Sequence, residues 1–479
     1  MGRDQTRRDF FGCAASAASL GTLSSLASSA SESAGQFDWL RTARIVLSEG
    51  YVPPFYPRLE CTGEQLAETT RQMGANILRF PAISMYALYP TRHYPAHPEL
   101  GNRDLFRETI DACHRRGIKV IPYIAVNVSV WPVNATGEIA DWADRDANGR
   151  PKTSSLFSLD RGNDYLQLCL NSPIRDRIKA YVAEIAANYE VDGMYFDGPY
   201  PYMASMKSYS RFTREAYRKA RGKEVPAHDA GLKPDDERTY YEWFAQDVVA
   251  KLMTELRTII LDRRKVPIIF NLTPFLFTRS YAAIQHPICD CFMFESRPGP
   301  LTNKMYHLML GRSTGKVMWS YVSTPHLTSR EHLRRPRLGS WYSYPVDERE
   351  VEMQGFTVVA SGAAPIYWGA GNRVRDKGSL EHLQSPFEFL ERNERLLQSA
   401  RPVPYVGILT STSTIDWYRY KPNGDAGYTP SFYYGAFAAL ADARVQAEPF
   451  HESRLTLETL SRYPVLYLPN VDFLSDGQV

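Results

Sequence analysis

Short apolar runs alternate with longer stretches of helical periodicity along most of this chain, and this alternation constrains the fold more than any other feature. Eight runs are candidate strands, at residues 44–47, 76–80, 119–124, 193–196, 267–271, 291–295, 317–321 and 365–368. Helical spacing of apolar residues occupies the stretches 63–73, 103–116, 174–189, 240–262 and 348–360. Strand and helix units in this succession predict a parallel sheet that closes into a (β/α)8 TIM barrel.

The fourth candidate strand ends on a carboxylate. The sequence from Val191 to Pro199 is Val-Asp-Gly-Met-Tyr-Phe-Asp-Gly-Pro, so Asp197 closes the strand and Gly198 begins a sharp turn. Barrel enzymes carry their active sites at the C-terminal ends of the strands, which makes Asp197 a candidate nucleophile. The open alternative is that Asp197 only caps the turn that follows it. Asp192 precedes the strand and is expected to be a turn residue.

A second acid closes the sixth candidate strand. Glu295 follows the apolar run Phe292 to Phe294, and the fourth and sixth strands of a barrel end at the same mouth, so its side chain should approach that of Asp197. Glycoside hydrolases use such a pair, one carboxylate as nucleophile or base and the other as general acid. Apolar neighbours would help Glu295 to keep its proton. The open alternative is an ion pair between Glu295 and Arg297.

Aromatic, amide and basic side chains near the same strand ends would suit a carbohydrate substrate, which needs flat faces for the sugar rings and polar groups for the hydroxyls. The candidate substrate-binding residues are Arg79, Asn127, Trp131, Tyr200, Asn271, Trp319 and Trp368. Core packing is the alternative for Trp319 and Trp368.

Composition and local pattern argue against several other classes of protein. The net charge is +3 and no long basic block lies outside the N-terminal region, so we expect no nucleic-acid partner. His93 and His97 are four residues apart, but nearby prolines break the helix that would align them on a metal, so we expect neither a metal site nor a cofactor. No later segment reaches about 18 uninterrupted apolar residues, the length that membrane insertion requires.

The first residues have the pattern of an export signal. Arg7 and Arg8 precede Phe10 and Phe11, and an Ala- and Ser-rich run follows, which resembles a twin-arginine signal peptide over residues 1–34. The alternative is an ordinary N-terminal helix with a chance arginine pair. The signal predicts export by the twin-arginine route, to the periplasm or the extracellular space.

The alternation restarts after Arg401. Residues 405–409 and 465–468 are candidate strands and residues 432–441 are a candidate helix, a pattern that resembles the start of a small doubly wound, Rossmann-like domain. We therefore expect the barrel at 40–401 and a partial α/β domain at 402–479. The elements are too few to close such a domain, so either the sequence is a fragment or this domain is curtailed.

Several stretches resemble a known family. These are residues 98–100, the helix and strand that run through Arg115-Arg-Gly-Ile-Lys-Val-Ile-Pro-Tyr, residues 170–176 and residues 191–199. They look like the barrel glycosyl hydrolases called hypothetical glycosyl hydrolase group six, and the resemblance covers about residues 44–479. Residues 403–470 are similar to the start of a β-galactosidase trimerisation-type domain, which implies a homotrimer.

The element Tyr-Phe-Asp-Gly also resembles the nucleophile strand of family 29 α-L-fucosidases. This likeness implies that Asp197 is the nucleophile and makes no assignment for Glu295. Family 42 β-galactosidases instead use a Glu after an Asn at the end of the fourth strand, where this chain has Phe196 and Asp197. The trimerisation-like segment therefore does not imply a β-galactosidase.

These features lead to two hypotheses. The first is an exported, retaining glycoside hydrolase, α-L-fucosidase-like or another α-glycosidase, in which Asp197 attacks the anomeric carbon and Glu295 protonates the leaving oxygen. The second is a non-catalytic carbohydrate-binding protein on a degenerate barrel, which predicts carboxylates too far apart or misdirected for catalysis. A carboxylate separation of about 5 Å is typical of retention and about 6.5–9.5 Å of inversion.

Overall fold

The computed structural model describes most of the chain after its N-terminal region. The described residues are 37–50, 54–56, 58–126, 131–132, 137–154, 165–198, 207–226, 234–272, 288–295, 300–322, 348–368, 381–420 and 431–479. The predicted signal segment 1–34 lies outside them, so export stays a prediction.

Eight parallel strands form a closed barrel, which confirms the predicted fold class. The described strands in chain order are β1 (Ile45–Leu47), β2 (Ile77–Ile83), β3 (Lys119–Ala125), β4 (Trp131–Pro132), β5 (Thr153–Ser154), β6 (Tyr165–Leu166), β7 (Met194–Asp197), β8 (Ile268–Leu272), β9 (Cys291–Phe294), β10 (Val317–Val322), β11 (Ala364–Trp368), β12 (Val406–Thr410), β13 (Ala447–His451) and β14 (Val465–Tyr467). The barrel order is β1-β11-β10-β9-β8-β7-β3-β2, and β4, β6 and β5 form a small antiparallel sheet after β3. All eight predicted barrel strands are present, with boundaries within three residues of those predicted.

Helices connect the barrel strands and follow the C-terminal strands. The described α-helices are Gly63–Gln72, Leu105–His114, Glu138–Asp141, Ile174–Asn188, Arg211–Arg221, Pro234–Trp243, Lys251–Leu261, Leu301–Arg312, Glu348–Ala360, Glu381–Arg392, Glu394–Ser399, Thr412–Tyr420, Ser431–Asp442 and Leu457–Leu460. The predicted helix 240–262 contains a π-helical segment, Phe244–Ala250, between two α-helices. Helix starts follow local chemistry: Thr62 and Gln65 form a capping box, and the Asp104 carboxylate accepts from the Arg107 amide.

Alternation along each strand divides the apolar residues into two cores. Outward residues such as Leu78 and Phe196 pack against the helices, and inward residues such as Ile121 and Ile269 fill the barrel. Gly193 has no side chain because the interior is crowded there: a Cβ would lie 3.3 Å from the side chains of both Ile121 and Ile269. The barrel interior is therefore a packed core with no room for substrate at this level.

Trp319 belongs to this interior core, and the prediction that it contacts substrate was wrong. The indole is fully buried and its Nε1 donates a 2.8 Å hydrogen bond to the carbonyl oxygen of Leu40. Leu40 lies in a 3₁₀ helix, Asp38–Thr42, that precedes β1 and so covers the N-terminal end of the barrel. Trp319 closes that end, opposite the one where barrel active sites lie.

The C-terminal strands form a separate parallel sheet with the order β13-β12-β14. An apolar cluster joins this sheet to the barrel helix Leu301–Arg312, and Tyr306 from that helix shares a 3.0 Å hydrogen bond with Thr410 at the end of β12. The sequence prediction found β12 and β14 but missed the edge strand β13, whose run Ala-Glu-Pro-Phe-His contains a proline and two polar residues. Proline and polar residues weaken the strand pattern.

The buried Glu452 carboxylate lies beside the start of the helix Thr412–Tyr420 in this C-terminal unit. Its oxygens accept hydrogen bonds from the Thr412 hydroxyl (2.6 Å), the Ser411 hydroxyl (2.8 Å) and the Ser413 amide (3.0 Å). In doubly wound domains this strand-to-helix turn is a common binding position for phosphate groups. In this chain the Glu452 carboxylate occupies that position.

Candidate active site

Inward-facing polar residues form one layer at the C-terminal end of the barrel. Each stands two positions after an inward residue of the core, because side chains alternate along a strand. The layer consists of Glu49, Arg79, Tyr123, Asp197, Asn271, Glu295 and Tyr321, which follow Leu47, Ile77, Ile121, Tyr195, Ile269, Met293 and Trp319 respectively. The barrel thus gathers seven polar side chains of the described residues, at or just after seven of its strands, toward its C-terminal end.

Asp197 ends β7, and two donors among the described residues bind its carboxylate. The Tyr123 hydroxyl donates a 2.5 Å hydrogen bond to Oδ2, and the Asn271 amide donates a 2.6 Å hydrogen bond to Oδ1. Burial, followed by the Asp197 charge, keeps the pKa of the Tyr123 hydroxyl well above its ordinary value, so this group remains a donor. Gly198 follows with a positive φ of 76°, which turns the chain away directly after the carboxylate, as the sequence predicted.

Glu295 shares the Asn271 amide with Asp197. The same Nδ2 atom donates to Glu295 Oε2 at 3.0 Å and to Asp197 Oδ1 at 2.6 Å. These two contacts limit the separation of the two carboxylate oxygens to about 5.6 Å, their combined length. The predicted approach of the two acids is therefore observed, and Asn271 is the residue that sets it.

The two acids of this pair do not have equal environments. Burial, and then the charge of Asp197, raises the pKa of Glu295 to about 8. A carboxyl group with that pKa is mostly protonated at neutral pH. The layer therefore holds a protonated acid next to a carboxylate whose two oxygens both accept hydrogen bonds, which is the pairing that acid-assisted bond cleavage requires.

Glu49 is a third acid in this layer, and the sequence prediction missed it. Its carboxylate is buried and forms an ion pair with the buried Arg79 guanidinium. Burial raises the pKa of Glu49 to about 7, against the opposing effect of Arg79. Continuing the two-residue alternation past β1, from Leu47, would have identified it.

The Arg79 guanidinium lies beside two stacked aromatic rings, those of Tyr123 and Tyr195, whose centres are 5.8 Å apart. Its central carbon lies 4.5 Å from the ring centre of Tyr123 and 4.8 Å from that of Tyr195. Cation–π contacts and the Glu49 ion pair together hold the positive charge beneath the two catalytic candidates. The Arg79 Nη2 atom donates to Glu49, and the role of Arg79 in substrate binding stays a prediction.

The other predicted residues are placed as follows. Asn127, Tyr200 and Arg297 lie outside the described residues. Trp368 ends β11, opposite Leu47 in register, and Trp131 begins the small sheet in β4. Their roles as substrate-binding residues stay predictions.

Two further groups lie away from the layer. Asp192 precedes β7 and its carboxylate accepts a 2.8 Å hydrogen bond from the Val120 amide, so it is the structural residue that the sequence predicted. His97 accepts a hydrogen bond from the Glu99 amide and packs against Tyr86.

Among the described residues, no group of three or more His, Cys, Asp or Glu side chains is arranged to hold a metal ion. Within the same residues, no helix has both the length and the apolar composition that crossing a membrane demands.

Residues 62–198 match the family described as Hypothetical glycosyl hydrolase 6. No curated protein sequence matches the chain.

Solved structures of glycoside hydrolases share the fold. The alpha-L-fucosidase isoenzyme 2 from Paenibacillus thiaminolyticus is similar with a TM-score of 0.67 and 20% identity, over 91% of this chain and 61% of that one. The β-galactosidase from the psychrophilic Marinomonas ef1 is similar with a TM-score of 0.64 and 15% identity, over 90% of this chain and 73% of that one. The β-galactosidase from the Antarctic haloarchaeon Halorubrum lacusprofundi is similar with a TM-score of 0.66 and 13% identity, over 91% of this chain and 70% of that one. At these identities the similarity shows the fold, and this chain spans 61% of the length of the fucosidase.

Proposed function

We propose that this chain is a retaining glycoside hydrolase in which Asp197 is the nucleophile and Glu295 the general acid and base. The observation that carries the proposal is the shared Asn271 amide, which keeps an oxygen of each carboxylate within about 5.6 Å of the other. A separation of about 5–5.5 Å fits direct attack by one carboxylate, whereas inversion needs about 6.5–9.5 Å to admit a water molecule.

The chemistry would proceed in two displacements. An Asp197 oxygen attacks the anomeric carbon while the glycosidic C–O bond breaks and the Glu295 carboxyl gives its proton to the departing oxygen. A glycosyl ester on Asp197 results. Glu295, now ionised, takes a proton from water as the water oxygen attacks the anomeric carbon, which releases the sugar and regenerates both acids.

The raised pKa of Glu295, about 8, supports its role in the first step, because the group carries its proton at neutral pH. Tyr123 and Asn271 supply hydrogen bonds to the two oxygens of Asp197 and so fix the direction of the nucleophile. The alternative of a non-catalytic barrel predicted acids too distant for either mechanism, and the observed separation favours catalysis.

We further propose an α-glycosidase of the α-L-fucosidase type, acting on a carbohydrate outside the cytoplasm. The Asp at the end of the fourth barrel strand supports this specificity, since it matches the nucleophile strand of family 29 α-L-fucosidases in the Tyr-Phe-Asp-Gly element. Export rests on the twin-arginine pattern of residues 1–34, and assembly as a trimer rests on the resemblance of residues 403–470 to a trimerisation-type domain.

The test is hydrolysis of a panel of aryl glycosides that includes the aryl α-L-fucoside. Asp197→Ala should abolish turnover, and added azide should restore part of it by occupying the space of the lost carboxylate. Asp192→Asn, a substitution at the opposite end of the same strand, is the matched control and should keep activity.

Proton NMR should show that the sugar first released has the same anomeric configuration as the substrate. Inversion of configuration would contradict the nucleophile role of Asp197. Full activity of Asp197→Ala would remove this residue from the mechanism, and saturable glycan binding without product would favour the non-catalytic alternative.

A further inference from the structure

A groove lies at the junction of the barrel and the C-terminal sheet. Its volume is about 650 Å³. Arg41 precedes β1, Lys316 precedes β10 and Gly362 precedes β11, so the groove borders the N-terminal end of the barrel strands. It is therefore at the opposite end of the barrel from the carboxylate layer, and the proposed glycosidase mechanism does not use it.

The charge of this groove is strongly one-sided. Of the charged residues that line it in the described part of the chain, six are basic and one, Glu448, is acidic. The basic residues are Arg41, Arg312, Lys316, Arg401, Arg454 and Arg462. The whole chain carries 56 basic and 53 acidic residues, so this local excess is not a reflection of composition. Cations gathered on facing walls of a concave surface create a positive potential that attracts anions.

Arg312 is built into the wall of the groove. Its Nη1 donates a 2.8 Å hydrogen bond to the carbonyl oxygen of Ser361, and its Nη2 lies 3.8 Å from the Glu448 carboxylate. Gly362 lets the guanidinium approach, because a Cβ there would lie only 1.9 Å from Nη1. The Nε atom is buried and has no hydrogen-bond partner among the described residues. Burial lowers the pKa of Arg312, and the nearby charges of Arg462 and Arg41 lower it further.

Glu448 cannot balance these charges alone. Its carboxylate also lies 3.0 Å from Arg462 and accepts a hydrogen bond from the Tyr463 hydroxyl. The side chains of Lys316 and Arg454 form no hydrogen bond or ion pair with another described residue. Their positive charges therefore remain available to a ligand.

Most of the remaining wall is apolar. Phe356 and Phe389 pack edge to face with ring centres 5.6 Å apart, and both line the groove. Its volume falls within the range of about 300–1,000 Å³ that is usual for small-molecule sites. A surface of this kind suits a compact ligand with anionic groups on a less polar body.

We propose that this groove binds a small polyanion that carries phosphate or sulfate groups. Arginine forks match the oxygens of such groups in pairs, and the positions of Arg312, Lys316 and Arg454 allow contacts from the barrel and from the C-terminal unit at once. A ligand held from both sides stabilises the junction between them.

The proposal can be tested by isothermal titration calorimetry of the full chain in 0.15 M NaCl, where weak nonspecific attraction is screened. Inorganic pyrophosphate and a disulfated disaccharide are the two probes, and they distinguish a phosphate ligand from a sulfated one. Saturable one-site binding of either probe, with a rise in the melting temperature, is expected.

The discriminating variant is Lys316→Ala combined with Arg454→Ala, which removes two charges that have no ion-pair partner among the described residues. Binding should weaken about tenfold or more, since charge-assisted hydrogen bonds are the strong ones. Lys219→Ala, which removes an exposed cation on the helix Arg211–Arg221, is the matched control and should bind normally.

Absence of saturable binding by both probes, or equal weakening by Lys219→Ala, would overturn the proposal. Aryl glycoside hydrolysis should be unchanged in the double variant without added anion. Anion binding tests this proposal and hydrolysis tests the glycosidase proposal, so failure of one can be distinguished from failure of the other.

Discussion

The charge of Asp197 should control the proton on Glu295. At a separation of about 5.6 Å, the largest that the shared Asn271 contacts allow, two unit charges interact by about 3 kcal/mol for an effective dielectric constant of about 20. Since 1.36 kcal/mol corresponds to one pKa unit, removal of the Asp197 charge should lower the pKa of Glu295 by about 2.

The variant Asp197→Asn keeps the shape of the side chain and removes its charge. The pKa of Glu295 is raised to about 8 by burial first and by Asp197 second, so it should fall to about 6 and not to its ordinary value of 4.5. Carbon-13 NMR of protein labelled at the glutamate carboxyl groups measures this titration, and the signal lost in Glu295→Gln identifies the resonance.

Asp192→Asn is the control, because Asp192 lies before β7 at the far end of the barrel and binds the Val120 amide. It should leave the pKa of Glu295 unchanged. A Glu295 pKa that stays near 8 in Asp197→Asn would refute the electrostatic coupling, and with it the division of roles between the two acids.

Three further predictions concern other parts of the structure. Glu49→Gln leaves the buried Arg79 charge without its partner and should destabilise the fold by about 3–5 kcal/mol in urea unfolding, and a loss below about 1 kcal/mol would contradict the ion pair. Burial lowers the pKa of Lys304 from 10.5 to about 7, so between these pH values the unfolded chain binds more protons than the folded one and stability should rise with pH. Lys304→Met should flatten this rise when the melting temperature is measured against pH. An unaltered slope would exclude the effect. Gly193→Val should cost about 1–3 kcal/mol, because its side chain would crowd the barrel interior, whereas Gly435→Ala, where nothing lies within 4 Å, should be neutral or stabilising; equal thermal shifts would refute the packing argument.

Local pattern was enough to predict the elements of the barrel. The run from Val191 to Asp197 shows why: apolar residues, a glycine and a terminal acid in a short span give a strand with a defined end, and β7 is observed at Met194–Asp197. The helix before it was predicted at 174–189 and is observed at Ile174–Asn188. Both signals are periodicities of neighbouring residues, which a sequence contains directly.

For Trp319, local patterns were not enough to predict what the side chain contacts. Its position in a barrel strand was predicted, but inward positions at both ends of a strand have the same periodicity. Only the packing of the 3₁₀ helix Asp38–Thr42 across the N-terminal end decides that the indole caps that end and bonds to Leu40. This contact joins residues 279 positions apart in the chain, a distance at which no local pattern acts.

The sequence by itself determined the strand ends and therefore the acids Asp197 and Glu295, because alternation and turn chemistry are local properties. The tertiary structure decided the distance between these two acids and the residues that surround them. Closure of the barrel brings Asn271 between them, places Glu49 and Arg79 in the same layer, and largely buries Glu295 so that its pKa rises. Distance and burial are properties of the closed barrel, and they turn two strand ends into a candidate catalytic pair.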